Sequence, residues 1–204
     1  MVASGNHKSV YEKIFRVFSS ICILITGFIV PAQAVVTTEY KNGFRYITAE
    51  SEAEVDWSLL DERTVINVIH PSNQSGAARN ENSGIEPYTT GQMPLDSWNV
   101  VTNGVYSDLC HWGYGTYFSD YHFTGARKYF VSIYNQDNPT SVPYDIRKWA
   151  SGTKLYHDTV PAYGNQYRTI SIDSVSSSWY CEFRKTEISG GDIILEVEKS
   201  PLDT

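Results

Sequence analysis

Two adjoining segments decide the fold of this chain: YFSDYHFTG, residues 117–125, and ARKYFVSIYN, residues 126–135. The first is rich in aromatic residues and ends at a glycine, as a strand does before a turn. In the second, apolar or β-branched residues recur at every other position, at Tyr129, Val131 and Ile133. A period of two predicts two strands, each with one buried face.

The same alternation continues to the end of the chain. Glycine, asparagine and serine clusters divide it into predicted strands over 97–102, 105–112, 144–149, 154–160, 167–172, 178–184 and 192–198. Short strands at near-even spacing, each with one apolar face, are typical of antiparallel sandwiches. The sequence therefore predicts an all-β protein whose residues 94–200 form an antiparallel β-sandwich of jelly-roll-like layout.

The first 34 residues have the three parts of a secretory signal peptide. Lys8, Lys13 and Arg16 precede an apolar run over 17–30, and Ala32-Gln33-Ala34 supplies a small-x-small cleavage site. The apolar run is shorter than the ~20 residues that span a bilayer. We expect cleavage after Ala34 and a secreted, extracellular protein that is not membrane-bound. The alternative is an uncleaved membrane-anchoring helix.

Residues 35–93 are expected to form an irregular N-terminal arm before the sandwich. Asn42-Gly43 between apolar residues favours a tight hairpin, with a loose N-terminus as the alternative. Ser51 with Glu54 fits a capping box for a short helix over 52–62, and 64–69 is typical of a strand. The polar stretch 71–91 indicates a long loop or linker.

Charge and cysteine content narrow the choice of partners and compartment. The formal net charge is −7 and no basic stripe is present, so nucleic acid and anionic lipid are not expected partners. Beyond the leader, Cys110 and Cys181 are an even pair in a chain expected to be exported. We expect them to form a disulfide; two separate buried thiols are the alternative.

No sequence motif assigns a catalytic residue, a metal site or a cofactor. The histidines lack the spacing of a zinc site, and no G-x-S-x-G motif is present. Ser119, Asp120 and His122 are close in sequence, which leaves a small secreted hydrolase as a minor hypothesis. The loop 135–138 contains oxygen ligands for calcium, although its asparagines and aspartate also suit an ordinary turn.

The aromatic content, 14% with 15 tyrosines and five tryptophans, suits either ligand binding or packing within the sandwich. Tyrosine and tryptophan combine a flat apolar face with a polar group, which suits sugar stacking or a protein interface. The candidate ligand-binding residues are Trp112, Tyr114, Trp149 and Tyr156. Packing within the sandwich is the competing explanation for the same residues.

The layout of residues 120–199 resembles the bacterial pre-peptidase C-terminal type of secreted β-sandwich domain. The matching pieces are the YHFTG opening at 121–125, the Ser151-Gly152 hairpin, Trp179-Tyr180 on a late strand, and Gly190-Gly191 before the last strand. This chain has Asp145-Ile146-Arg147 where that pattern usually carries an acidic pair. The resemblance implies a secreted sandwich module without implying an activity.

These observations favour a secreted, non-enzymatic β-sandwich protein that binds an extracellular protein or glycan. A carbohydrate-binding module that uses exposed tryptophan and tyrosine is the alternative.

Overall fold

The computed structural model describes residues 36–70, 92–110, 115–135, 138–185 and 192–203. All of them belong to one compact unit, Val35–Thr204. They form two β-sheets packed face to face, which confirms the predicted all-β sandwich. The expected signal peptide, residues 1–34, and the predicted linker, residues 71–91, lie outside the described residues.

The described part of the chain contains thirteen strands. Their bounds are β1 Thr37–Lys41, β2 Phe44–Ala49, β3 Thr64–Ile69, β4 Asp96–Asn99, β5 Tyr106–Cys110, β6 Gly115–Phe118, β7 Tyr121–Thr124, β8 Lys128–Asn135, β9 Val142–Lys148, β10 Lys154–Val160, β11 Gly164–Ser171, β12 Trp179–Lys185 and β13 Ile193–Lys199.

One sheet has seven strands in the order β1-β2-β3-β11-β8-β13-β5. The other has the order β10-β9-β12-β7-β4, and β6 also pairs with β12. Most neighbours are antiparallel, as predicted, but β2 pairs with β3 and β4 with β7 in parallel. Both sheets are therefore mixed.

The sandwich also extends further towards the N-terminus than residues 94–200. Strands β1, β2 and β3 belong to the seven-stranded sheet, and β3 pairs along its length with β11. Val65, Ile66 and Val68 of β3 are fully buried, so this strand has core on both faces. A strand with two apolar faces must lie inside a structure, which is why this part of the chain does not form a separate arm.

The β1–β2 hairpin turns at Asn42-Gly43, as the sequence predicts. Both residues have positive φ, 53° and 81°, and Lys41 pairs directly with Phe44. Two residues with positive φ between paired strands are the signature of a type I′ turn. Asparagine and glycine adopt this conformation at little cost, so the local sequence alone sets the register of the hairpin.

The predicted helix over 52–62 is replaced by two single 3-10 turns, Glu52–Glu54 and Trp57–Leu59. Ser51 makes no side-chain capping bond, so the capping box is absent. Residues 50–63, the covering segment, instead lie over the outer face of the seven-stranded sheet. They close a second small core of Ile47, Ala49, Val55, Ile66, Val68 and Tyr167.

The main core lies between the sheets and follows the predicted alternation. Val131 and Ile133 of β8, and Leu195 and Val197 of β13, are at most 1% exposed. From the opposite sheet, Trp179 and Phe183 face them and are fully buried. The alternating residues of the C-terminal strands therefore form a conventional sandwich core.

One end of this interior is polar and is organised around Arg168 of β11, which is 2% exposed. Its guanidinium group lies over the rings of Tyr156 and Phe44, at 4.4 and 5.3 Å from their centroids. Nη1 donates a hydrogen bond to the Tyr144 hydroxyl and lies 3.6 Å from Asp158. Because these partners come from both sheets, Arg168 links the two layers where the apolar core ends.

Candidate binding surface

The outer face of the six-stranded sheet carries a charged cluster with a buried carboxylate at its centre. Asp145 lies within 2.7 Å of Arg147, Arg184 and His157, and 3.0 Å of Lys154. Its side chain is 1% exposed. Four donors on one carboxylate use essentially all of its lone-pair sites.

Strand register explains why these residues meet. Asp145 of β9 is directly opposite Glu182 of β12 on one side and His157 of β10 on the other. Directly opposite residues project from the same face of a sheet, and residues two apart on one strand do the same. Arg147 and Arg184, each two residues beyond an acid, therefore join the group.

A second carboxylate, Glu182, completes the cluster. It pairs with Arg184 at 2.6 Å and with Arg147 at 2.5 Å. Two carboxylates are thus surrounded by three permanent cations and a histidine, so the cluster carries an excess of positive charge. The chain as a whole has a net charge of −7, so the charge of this cluster is opposite in sign to that of the whole protein.

The acids lie beneath the bases. The exposed fractions are 1% for Asp145 and 12% for Glu182, whereas those of the four basic side chains are 21% for Arg147, 39% for Arg184, 42% for Lys154 and 55% for His157. The carboxylates fix the position of the bases from below. Solvent, or a ligand, meets a surface of basic groups.

The electrostatics agree with this geometry. Burial by itself would raise the pKa of Asp145, but hydrogen bonds from Lys154 and His157 and the charge of Arg184 outweigh it and lower that pKa. The hydrogen bond to Glu182 is the largest of the influences that raise the pKa of Arg184. Both groups are therefore held in their charged forms, and the cluster is an ionic network.

Aromatic side chains flank the charged cluster on the same face. Tyr180 precedes Glu182 by two residues on β12, and its ring centroid is 5.9 Å from that of Phe118. Further along the sheet, His122 stacks on Trp149 with centroids 4.4 Å apart. The face thus combines fixed cations with flat apolar rings.

The sequence candidates for ligand binding do not form one strip. Trp149 lies on this outer face, half-buried, and its Nε1 donates to the carbonyl of Pro94. Tyr156 faces the interior, where it packs against Arg168. Trp112 and Tyr114 lie outside the described residues.

The expected disulfide is absent. Cys110 and Cys181 are free thiols, and both are fully buried. The Cys110 thiol donates a hydrogen bond to a carboxylate oxygen of Asp108, 3.9 Å away. Burial is the main cause of the raised pKa of both cysteines. The alternative of two separate buried thiols therefore describes the structure.

Ser119, Asp120 and His122 are not arranged as a triad. The Ser119 hydroxyl donates to the carbonyl of Tyr121 and accepts from the amide of Cys181. Within the described ranges, Nδ1 of His122 has no hydrogen-bond partner. The residues of the minor hydrolase hypothesis thus lie close together without the hydrogen bonds that would activate a nucleophile.

Asp120 belongs to a different cluster, at the end of the interior near β5. The Tyr117 hydroxyl bonds to both Asp108 and Asp120, at 3.1 and 3.2 Å. Burial is the main cause of a raised pKa for Asp120, and the nearby charge of Asp108 adds to it. Two carboxylates that share one hydroxyl donor in a half-buried site disfavour double ionisation.

The asparagines of the suggested calcium loop serve the local backbone. Asn135 donates to the carbonyls of Thr140 and Pro161, and Asn138 accepts from the amide and hydroxyl of Thr140. Asp137 lies outside the described residues. Among the residues that are described, no group of three or more His, Cys, Asp and Glu side chains could hold a metal ion.

Sequence reasoning did not identify the Asp145 cluster as a site. The only signal was an Asp-x-Arg on one predicted strand and a Glu-x-Arg on another, at 145–147 and 182–184. Neither of these acid–arginine pairs indicates a binding site by itself. Only the register between the strands brings them together.

No protein-family model matches the chain, and no curated protein does. In the part of the chain that the structure describes, no helix has the length and apolar character to cross a membrane.

Proposed function

We propose that this chain is a non-enzymatic protein that acts outside the cell, and that it binds a negatively charged glycan on the outer face of its six-stranded sheet. The observation that carries the proposal is the buried Asp145, which holds four more exposed basic side chains in place. The leader-like segment at residues 1–34 supports an extracellular site of action.

Preorganisation is the physical basis for binding. Lysine and arginine side chains normally lose conformational entropy when they bind a ligand, which offsets part of the interaction. Here Arg147, Arg184 and Lys154 are already held by ion pairs to a buried acid. Each guanidinium has five donors and each ammonium three, so donors remain for a carboxylate or sulfate group of a ligand.

A glycan fits this face better than a folded protein does. Among the described residues, none of the exposed large apolar side chains belongs to β9, β10 or β12. A protein interface normally has an apolar centre, and these three strands do not supply one. The rings of Trp149 and Phe118 beside the cations offer flat surfaces of the kind on which sugars stack.

The test is direct binding to three glycans of similar length: oligogalacturonate, dextran sulfate and uncharged dextran. We expect binding to one or both charged glycans, no binding to dextran, and affinity that falls as NaCl is added. Arg184→Ala and Lys154→Ala should each weaken binding by about tenfold, the loss of one charge-assisted hydrogen bond.

Lys199→Ala is the matched control, since Lys199 is 48% exposed and lies on the other sheet. It should bind as the unaltered protein does. Equal affinity for dextran, or equal weakening by all three variants, would contradict the proposal. So would a folded protein that binds none of the three glycans.

The second candidate, stacking of an uncharged glycan on aromatic residues, rests on Trp149 and its stack with His122. It predicts that Trp149→Ala abolishes binding and that Arg184→Ala does not. The same three glycans separate the two candidates, because only this second candidate expects dextran to bind.

A further inference from the structure

Among the strands that the structure describes, β1 is an edge of the seven-stranded sheet. It pairs with β2 on one side only, and all five of its residues are exposed. Tyr40, the fourth of these five residues, is 76% exposed, the second highest value among the large apolar side chains described. An edge strand of this kind offers unpaired amide and carbonyl groups to another strand.

The turn geometry shows which of these groups point outward. Lys41 and Phe44 close a two-residue hairpin, so they form a hydrogen-bonded pair. Backbone direction alternates along a strand, so Lys41, Glu39 and Thr37 direct their amides and carbonyls to β2. Tyr40 and Thr38 direct theirs to the open edge.

The side chains around Tyr40 are arranged for self-pairing, because Glu39 and Lys41 lie on either side of it. We propose that two copies of this chain pair antiparallel through β1, with Tyr40 opposite Tyr40 of the second copy. In this register Glu39 of each copy lies opposite Lys41 of the other, so two opposite-charge pairs form. The inference is independent of the glycan proposal.

The charged pairs occupy the positions where side chains approach most closely. Tyr40 would exchange both backbone hydrogen bonds with its counterpart, and the flanking pairs would be of the non-hydrogen-bonded kind, with Cα atoms about 4.5 Å apart. Opposite charges stabilise such pairs and like charges destabilise them. The order Glu-Tyr-Lys therefore favours one register.

Neighbouring registers are less favourable electrostatically. A shift centred on Glu39 would place Glu39 directly opposite Glu39 of the second copy, which is repulsive. A register with Thr38 opposite Thr38 of the second copy would leave both Glu39 and Lys41 without an oppositely charged partner. Intermediate shifts would place inward-facing residues opposite outward-facing ones, which the pleat of a sheet does not allow.

The experiment is a charge exchange, read by sedimentation equilibrium of the purified protein over a concentration series. We expect a monomer–dimer equilibrium for the unaltered chain. Glu39→Lys and Lys41→Glu should each weaken the dimer about tenfold, because each converts two attractive pairs into two repulsive ones. The double variant, Glu39→Lys with Lys41→Glu, should restore it.

This design contains its own control for net charge. The two single variants change the charge in opposite directions, and the double variant does not change it. All altered residues are exposed, so the variants should fold, which circular dichroism verifies. A monomer at every concentration, a dimer indifferent to the single changes, or a double variant that stays monomeric would each overturn the proposal.

Discussion

The guanidinium carbon of Arg168 lies 4.4 Å from the centre of the Tyr156 ring, in the interior between the two sheets. An arginine in this position is stabilised by the ring and by Asp158, and its removal leaves the half-buried Asp158 without this cationic partner. We expect Arg168→Leu to lower the free energy of unfolding by about 3 kcal/mol, measured by urea denaturation.

Arg127→Leu provides the comparison, since Arg127 is exposed. Its effect should stay within about 0.5 kcal/mol. If both variants lose the same stability, the interior contacts of Arg168 are not what stabilises the fold.

Asp145 should make the protein sensitive to acid. Its pKa is lowered below 3.8 in the folded state, so its contribution to stability is present above the unfolded pKa and is lost as the pH falls through the folded one. Asp145→Asn should therefore cost about 2 kcal/mol at neutral pH and progressively less in acid. Urea unfolding at a series of pH values measures this; a pH-independent cost would contradict the ionic assignment.

Asp120 should have the opposite pH dependence. Its pKa is raised above 3.8, mainly by burial, so the folded state holds the proton more tightly than the unfolded state does. The stabilisation that this raised pKa provides is fully present below the pKa of Asp120 in the unfolded state. It is lost as the pH rises through the pKa of Asp120 in the folded state. Asp120→Asn, which keeps an acceptor for Tyr117, should raise Tm at neutral pH by about 1–2 °C. The gain should vanish in acid.

Gly125 occupies a position with no room for a side chain. It has φ of +96°, and a Cβ atom there would lie 2.1 Å from Oδ1 of Asn99, which accepts hydrogen bonds from Val101 and Thr102. Gly104 has φ of +79° with no atom within 4 Å of the corresponding Cβ. Gly104→Ala should lower the free energy of unfolding by about 1 kcal/mol, because of backbone strain. Gly125→Ala should lower it by about 2 kcal/mol more, because the added Cβ also clashes with Asn99.

The cysteines give a simple chemical test. Because Cys110 and Cys181 are free and fully buried, an added reductant should leave Tm unchanged. An alkylating reagent should modify both thiols in urea and neither under native conditions, as read by peptide mass mapping. A lower Tm in reductant would mean that the two residues are bonded.

Much of the fold could be predicted because the core obeys a period of two. The alternation predicts that Val131 and Ile133 face inward, and both are buried, as are Leu195 and Val197 on the predicted strand 192–198. The hairpin at Asn42-Gly43 could also be predicted, because the turn type and the register both depend on neighbouring residues. Such features depend on residues that are adjacent in the chain.

The remaining features depend on which strands are neighbours, and periodicity does not contain that information. The pairing of β3 with β11 joins segments about 100 residues apart, as Ile69 with Gly164 shows. The Asp145 cluster likewise requires the register of three strands. For Tyr156, the register shifts between Lys154 and Tyr156, so the ring faces the interior.

The last strand of the chain, Ile193–Lys199, sits between β8 and β5 rather than at an edge. Until these residues have been synthesised, β5 has no partner in the sheet, and a truncation before this strand would leave a five-stranded sheet and β5 as an unpaired strand. The native strand order of this sheet can therefore form only after β13 has been synthesised. Such a delay would suit the export that we propose for this chain, because an exported polypeptide is threaded through a membrane before it folds.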